Sequence, residues 1–173
     1  MNIRPRINRW TAARRTLINN PSIARSLVQP HFVVDGSGMN VEIASMPGIF
    51  LQSVDVLLET ISKDMAIGIS NHMLFPIVDP NLKDASASVA SEQHMPLQRA
   101  VKELKSKFGG NIVIMTHVCL CTATDHGHCG IVHEDELNND LTLPILSQIA
   151  LSHAEAGADY VAASDMMDGR VGF

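Results

Sequence analysis

The chain has 173 residues, 46% of them hydrophobic and 18% charged, with a net charge of −5. That is enough for one domain around one sizeable core, with the balance of a water-soluble globular fold. No apolar run approaches the roughly 20 residues a membrane helix needs, and an acidic bulk that repels phosphates argues against nucleic acid as a partner.

Charge is unevenly placed. Residues 1–34 carry Arg4, Arg6, Arg9, Arg14, Arg15 and Arg25 and no acid, while the remaining seven bases stand against 18 acids. Such a start suits a transit peptide, or an arm that docks on an acidic neighbouring subunit.

In chain order, residues 29–34 read as a short buried strand ended by Asp35-Gly36. Residues 53–63 follow Ser53 as a cap and have helical spacing. A second strand is expected over 72–77 and a loop over 79–90. A helix is expected over 92–107, with Pro96 near its first turn and lysines at its end. Gly109-Gly110 stops it. Residues 111–116 are a strand, 121–140 a His-, Cys- and Asp-rich loop, and 142–155 a helix capped by Thr142. Residues 159–163 are a fourth strand. Four βα units with near-continuous apolar strands predict an α/β fold with a parallel sheet. They make either a small open sheet or half of a (β/α)8 barrel, since a full barrel takes about 250 residues. The two open edges of such a half-barrel, at 29–34 and 159–163, would favour association or aggregation over a stable monomer.

The cysteines are Cys119, Cys121 and Cys129, an odd and clustered set that is poor material for disulfides. With no secretory signal, a reducing cytoplasm is expected. If the strand of 111–116 runs on, His117, Cys119 and Cys121 point the same way, and Cys129 folds back across Gly127. Three thiolates so spaced suit Zn²⁺ and leave a fourth position open; the bland alternative is three buried cysteines acting as small hydrophobes. His117 and His128 are candidates for a further ligand or for a partner of one. Residues 164–170, Ser-Asp-Met-Met-Asp-Gly-Arg, follow the fourth strand where barrel enzymes keep catalytic groups. They also read as a helix start, with Ser164 as cap and Asp165 and Asp168 near its dipole.

Together these segments resemble the porphobilinogen synthase (delta-aminolevulinic acid dehydratase) family of the zinc-cysteine type. The resemblance runs through Arg4-Pro5-Arg6, 27–33, Ser45-Met46-Pro47-Gly48, Leu74-Phe75-Pro76, Lys83-Asp84, 118–121, 126–130, Asn139-Asp140-Leu141-Thr142 and 164–171. It covers nearly the whole chain but only about the first half of a family member. It implies a partial TIM barrel of about four βα units over 26–173. It also implies an arm over 1–25 that wraps a neighbour in a cytoplasmic homo-octamer. The implied reaction is a hydro-lyase condensation of two 5-aminolevulinate molecules to porphobilinogen, in tetrapyrrole (heme) biosynthesis. Cys119, Cys121 and Cys129 match the family's zinc cysteines, and Ser164 and Asp165 match substrate-pocket residues.

There are departures. The family has Asp at the position of His117, Pro-Tyr at Thr122-Ala123 and Pro at Ala163. Its two Schiff-base lysines, substrate-carboxylate arginines and lid lie beyond residue 173, and Lys63, Lys83, Lys102, Lys105 and Lys107 match neither lysine. Three readings stay open: a fragment of the enzyme, a non-catalytic zinc-binding half-barrel that associates with a full-length homologue, and a small metal or redox sensor outside the family. Without a matching amine, this chain on its own is expected to make no porphobilinogen. Borohydride trapping with 5-aminolevulinate should then label no single lysine, and a stoichiometric adduct would contradict the expectation.

Overall fold

A computed structural model of the chain describes residues 6–19 and 26–173. Arg4, Pro5 and Arg25 of the expected arm lie outside them. A short helix α1 (Ala12–Asn19) precedes β1 (Gln29–Val33), β2 (Asn40–Glu42), β3 (Phe50–Gln52), α2 (Val54–Ala66) and β4 (Asn71–Pro76). Then come α3 (Pro96–Phe108), β5 (Val113–Val118), the hairpin β6 (Ile131–His133) and β7 (Glu136–Asn138), α4 (Asn139–Ala156) and β8 (Tyr160–Ala163). No described helix is long and apolar enough to cross a membrane.

Six strands form one sheet in the order β2-β3-β1-β4-β5-β8. β3, β1, β4, β5 and β8 run parallel, and β2 pairs antiparallel with β3. The strands β2, β3, β6 and β7 were not expected; each is three residues long, too short to show a period. They correct the expected edges. β1 is interior, between β3 and β4, and the edges are β2 and β8.

Helix boundaries shift for identifiable reasons. α3 begins at Pro96, where the missing N–H is one the helix leaves unpaired anyway, so 92–95 is a turn. α4 begins three residues before Thr142. Its cap is Asn138, whose side chain accepts from Leu141 N at 3.0 Å. Ser53 does hold the cap position of α2, but its hydroxyl donates to the Asp55 carboxylate and accepts from Met39 N at 2.9 Å, not from an N–H of its own helix.

The two faces of the sheet differ. On one, Val33, Leu74 and Ile114 are buried against Leu57 and Ile61 of α2 and Leu97, Val101 and Leu104 of α3. Fully burying a Leu or Ile side chain contributes about 1.5–3 kcal/mol, so this layer is the main core. The other face carries Phe32, Phe75 and His117 from three adjacent strands, all only half-buried. Their rings form a row, with centroids 5.3 Å apart for Phe32–Phe75 and 4.9 Å for Phe75–His117.

At the amino end of β8, the buried Asp159 carboxylate pairs with Arg14 of α1 and Lys105 of α3 and accepts from Ile114 N at 2.8 Å. Arg14 of the expected arm is thus engaged within its own chain. Asp159→Ala leaves two cations without their partner; breaking a buried pair of this kind costs about 3–5 kcal/mol. Urea unfolding should show that loss, and a change under about 1 kcal/mol would place the pairs with weak surface bridges.

Candidate metal centre

β5 ends at Val118, and Cys119 continues extended (φ −165°). Leu120 is then drawn into a second apolar cluster with Val118, Ala123, Leu146 and Met167. This turns the backbone into one 3-10 turn over Leu120–Thr122. Cys121 therefore rides on a turn, not on a strand, which corrects the expected alternation of His117, Cys119 and Cys121. Gly127 (φ +74°) reverses the chain and Cys129 returns. The three sulfurs lie within 4.8 Å of one another.

The loop is tied down from several sides. Thr124 Oγ1 donates to His128 O at 2.9 Å, Asp84 N to Ala123 O at 3.3 Å and Asp125 N to Asp84 O at 3.2 Å. Ile131 N donates to Thr142 Oγ1 at 2.9 Å. A Cβ on Gly130 would stand 2.8 Å from that hydroxyl, so glycine is required there.

The residues fit a zinc ion. Zn–S bonds of about 2.3 Å in a tetrahedron set the sulfurs about 3.8 Å apart, within reach of this cluster. Burial pushes all three thiols up from their ordinary value. Cys129 is raised further by neighbouring Cys119 and by the negative charge of Asp165. Buried, mutually close thiols beside a carboxylate shed their protons when a cation compensates the charge.

His117 lies outside this cluster. Its Nε2 is 2.7 Å from Ser164 Oγ, its Nδ1 is buried without a hydrogen-bond partner, and burial lowers its pKa while Asp165 opposes the shift. His128 is exposed, its ring 5.2 Å from that of His126. Asp165 is buried; its Oδ1 accepts from Met167 N at 2.8 Å and its Oδ2 has no partner. Residues 164–173 form turns, so the helix-start reading of Ser164 and Asp168 does not hold. The segment is pinned instead by Asn139, which accepts from Asp168 N at 2.7 Å and donates to Asp168 O at 3.2 Å.

Sequence reading missed the parts played by Phe75, Asp84 and Asn139. They act through contacts 29–43 positions away, which no local spacing signals. Lys105 is engaged with Asp159 at the opposite end of the strands, and Lys107 bonds Ser62 at 2.9 Å.

A mostly parallel α/β sheet that gathers three thiols beyond the carboxyl ends of its strands defines the class: an α/β protein with a candidate thiolate metal centre. The family model for delta-aminolevulinic acid dehydratase matches residues 2–173, and the chain belongs to that family. A delta-aminolevulinic acid dehydratase of Methanothermobacter thermautotrophicus is 50% identical over 147 residues, covering 84% of this chain and 44% of that one. One of Chlamydia pneumoniae is 42% identical over 171 residues, 98% of this chain and 51% of that one. The fold matches the crystal structure of the Toxoplasma gondii delta-aminolevulinic acid dehydratase (porphobilinogen synthase) in complex with its product porphobilinogen. The TM-score is 0.83 at 38% identity, covering 99% of this chain and 49% of that one. The chain thus spans about half the length of these relatives.

Raised thiol pKa values make zinc binding compete with protons. Between pH 6.5 and 8 the zinc affinity of the chain should rise by about tenfold per pH unit for each thiol still protonated in the free protein. Competition with a chromophoric chelator measures it. A flat profile would show that the thiols are already ionised.

Proposed function

We propose that this chain forms the metal-holding part of a porphobilinogen synthase, the hydro-lyase that condenses two 5-aminolevulinate molecules to porphobilinogen with loss of two waters. The observation that carries this is the convergence of Cys119, Cys121 and Cys129 beside Ser164 and Asp165, in a chain of this family. Cys119, Cys121 and Cys129 would hold zinc, and zinc bound there would supply Lewis-acid polarisation of a substrate group. His117 and Ser164 share a proton between Nε2 and Oγ, and they offer polar contacts on the same face as the aromatic row. Asp165 shapes the turn over 164–170 through its bond to Met167 N.

The partial TIM barrel is part of this reading. It is supported by the packing of α2 and α3, among the described residues, on one sheet face and by a half-buried opposite face that would line a barrel interior. The arm over 1–25, the barrel half over 26–173, the homo-octamer and the cytoplasmic setting belong to the same proposal. A second reading, a zinc-binding half-barrel that joins a full-length homologue, is favoured by the unpaired β8 edge, where Val161 is exposed.

Cobalt substitution tests the main reading. With His117 held by Ser164, the fourth position of a metal held by the three cysteines would be open to an exchangeable ligand. The absorption of the cobalt-loaded chain should therefore shift when 5-aminolevulinate is added. A spectrum indifferent to 5-aminolevulinate would favour a closed, structural site and the second reading.

A further inference from the structure

A second cluster of metal-ligating side chains lies at the other end of the sheet. His31 of β1 and His72 of β4 point to the face that α2 covers, alongside Val33 and Leu74, and both are buried. Asp64, in the last turn of α2, reaches them. His31 Nε2 is 3.1 Å from His72 Nδ1 and 3.5 Å from Asp64 Oδ2. One ligand atom from each of the three lies within 4.8 Å of the others.

As a hydrogen-bonded group this cluster is poorly satisfied. Among the described residues, Asp64 Oδ2 and His72 Nε2 are buried with no hydrogen-bond partner. Burial pushes the Asp64 carboxyl up, lowers His31 to about 3 and, against an opposing hydrogen bond to the Ile69 backbone, lowers His72 to about 4. Both imidazoles are therefore neutral at neutral pH and cannot serve as the cation that Asp64 lacks. Asp64 also sits at the carboxyl end of its helix, where the dipole disfavours a negative charge and favours a positive one.

The geometry suits a small divalent ion. Metal–N and metal–O bonds of about 2.0–2.1 Å in a tetrahedron place donor atoms about 3.3–3.4 Å apart. The observed 3.1 and 3.5 Å lie on either side of that value. Two neutral imidazoles and one carboxylate are the donor set of zinc-class ions, not of calcium or magnesium. An entry path exists, because His31 and Asp64 also line an open cleft with Gln29, Gln52, Thr60 and Lys63.

We propose that His31 Nε2, His72 Nδ1 and an Asp64 carboxylate oxygen form a second metal site of the zinc class, separate from the three cysteines. The site joins β1, β4 and α2 at the amino end of the strands and leaves one ligand position facing the cleft. Binding needs the lone pairs of both facing nitrogens, so the ring protons move to His31 Nδ1 and His72 Nε2. A bound divalent ion supplies the charge that Asp64 lacks.

The test uses the tag-free 173-residue chain under reducing, anaerobic conditions. Titration with Co²⁺ should show two equivalents bound. One brings an intense thiolate-to-cobalt charge-transfer band; the other adds only weak visible ligand-field bands. Elemental analysis after zinc loading and gel filtration should give two zinc per chain. In the His31→Leu/His72→Val variant it should fall to one with the thiolate band intact, which also reports that the fold survives. A Cys119→Ser/Cys121→Ser/Cys129→Ser variant should keep one zinc and gain several degrees in Tm when zinc is added. Saturation of the unmodified chain at one equivalent that carries the thiolate band would overturn the proposal. So would loss of all zinc from the folded cysteine-free variant. Neither result bears on the cysteine site, so failure here and failure of the proposed function are distinguishable.

Discussion

Asp159 is a carboxylate almost out of contact with water, with 2% of its side chain exposed. A charge so placed is costly unless paired and hydrogen-bonded, and the surrounding structure is arranged to pair it. Arg14 brings α1 to the sheet, Lys105 brings α3, and Ile114 N donates from β5. Asp159 N in turn donates to Ile114 O at 2.8 Å. That reciprocal bond sets β8 against β5 so that His117 pairs with Ala162 and Val118 with Ala163. Ser164 N then reaches Val118 O at 3.2 Å, and the Ser164 hydroxyl lands beside His117. A slip of one residue would turn every side chain of β8 to the other face. The polar groups at the carboxyl end are therefore aligned by a charge held at the amino end.

Between the two ends the core is mainly apolar, with Thr116, His153, Gln98 and Ser152 hydrogen-bonded within it, and the candidate metal ligands gather at its rims. At the carboxyl rim all three thiols are raised by burial, and Cys129 also by Cys119 and by Asp165. Each of those influences disfavours more negative charge, and a cation relieves all of them at once. At the amino rim, two imidazoles kept neutral by burial face a carboxylate that has no hydrogen bond on its Oδ2. The donor sets differ in softness, sulfur in one and nitrogen with oxygen in the other, so the two rims need not compete for an ion on equal terms.

Much of the fold was legible in the sequence because burial on both faces writes apolar runs. β1, β4, β5 and β8 all lie where such runs occur. The 3.6 spacing of Leu57 and Ile61, and of Leu97, Val101 and Leu104, marks α2 and α3 as covering helices. The three-residue strands β2, β3, β6 and β7 carry no such period and are held by pairing and by single contacts such as Gln52 Nε2 to Thr60 Oγ1 and Ile131 N to Thr142 Oγ1. The cysteine cluster showed in its spacing, but the turn that carries Cys121 did not, since it is imposed by the burial of Leu120. His31 and His72 gave no signal. A lone histidine in an apolar strand reads as a core residue, and Asp64, which gives the pair its meaning, is 33 and 8 positions away on a helix.

The same accounting assigns a proton at the carboxyl rim. His117 has one nitrogen, Nε2, bonded to Ser164 Oγ, and the other, Nδ1, buried without a partner. A buried N–H left unpaired is rarer and costlier than an acceptor left unpaired. The neutral ring is therefore best written with its proton on Nε2, donating to Ser164, and a bare lone pair on Nδ1; this is an assignment from the hydrogen-bond network. Ser164 then accepts from His117 and keeps its own hydroxyl proton free, because the oxygen has a second lone pair and a rotatable O–H. Ser164 is exposed, so that proton is available to a group on the face lined by Phe75 and His117. An imidazole at position 117 thereby leaves the serine hydroxyl proton available for donation, without entering the thiol cluster.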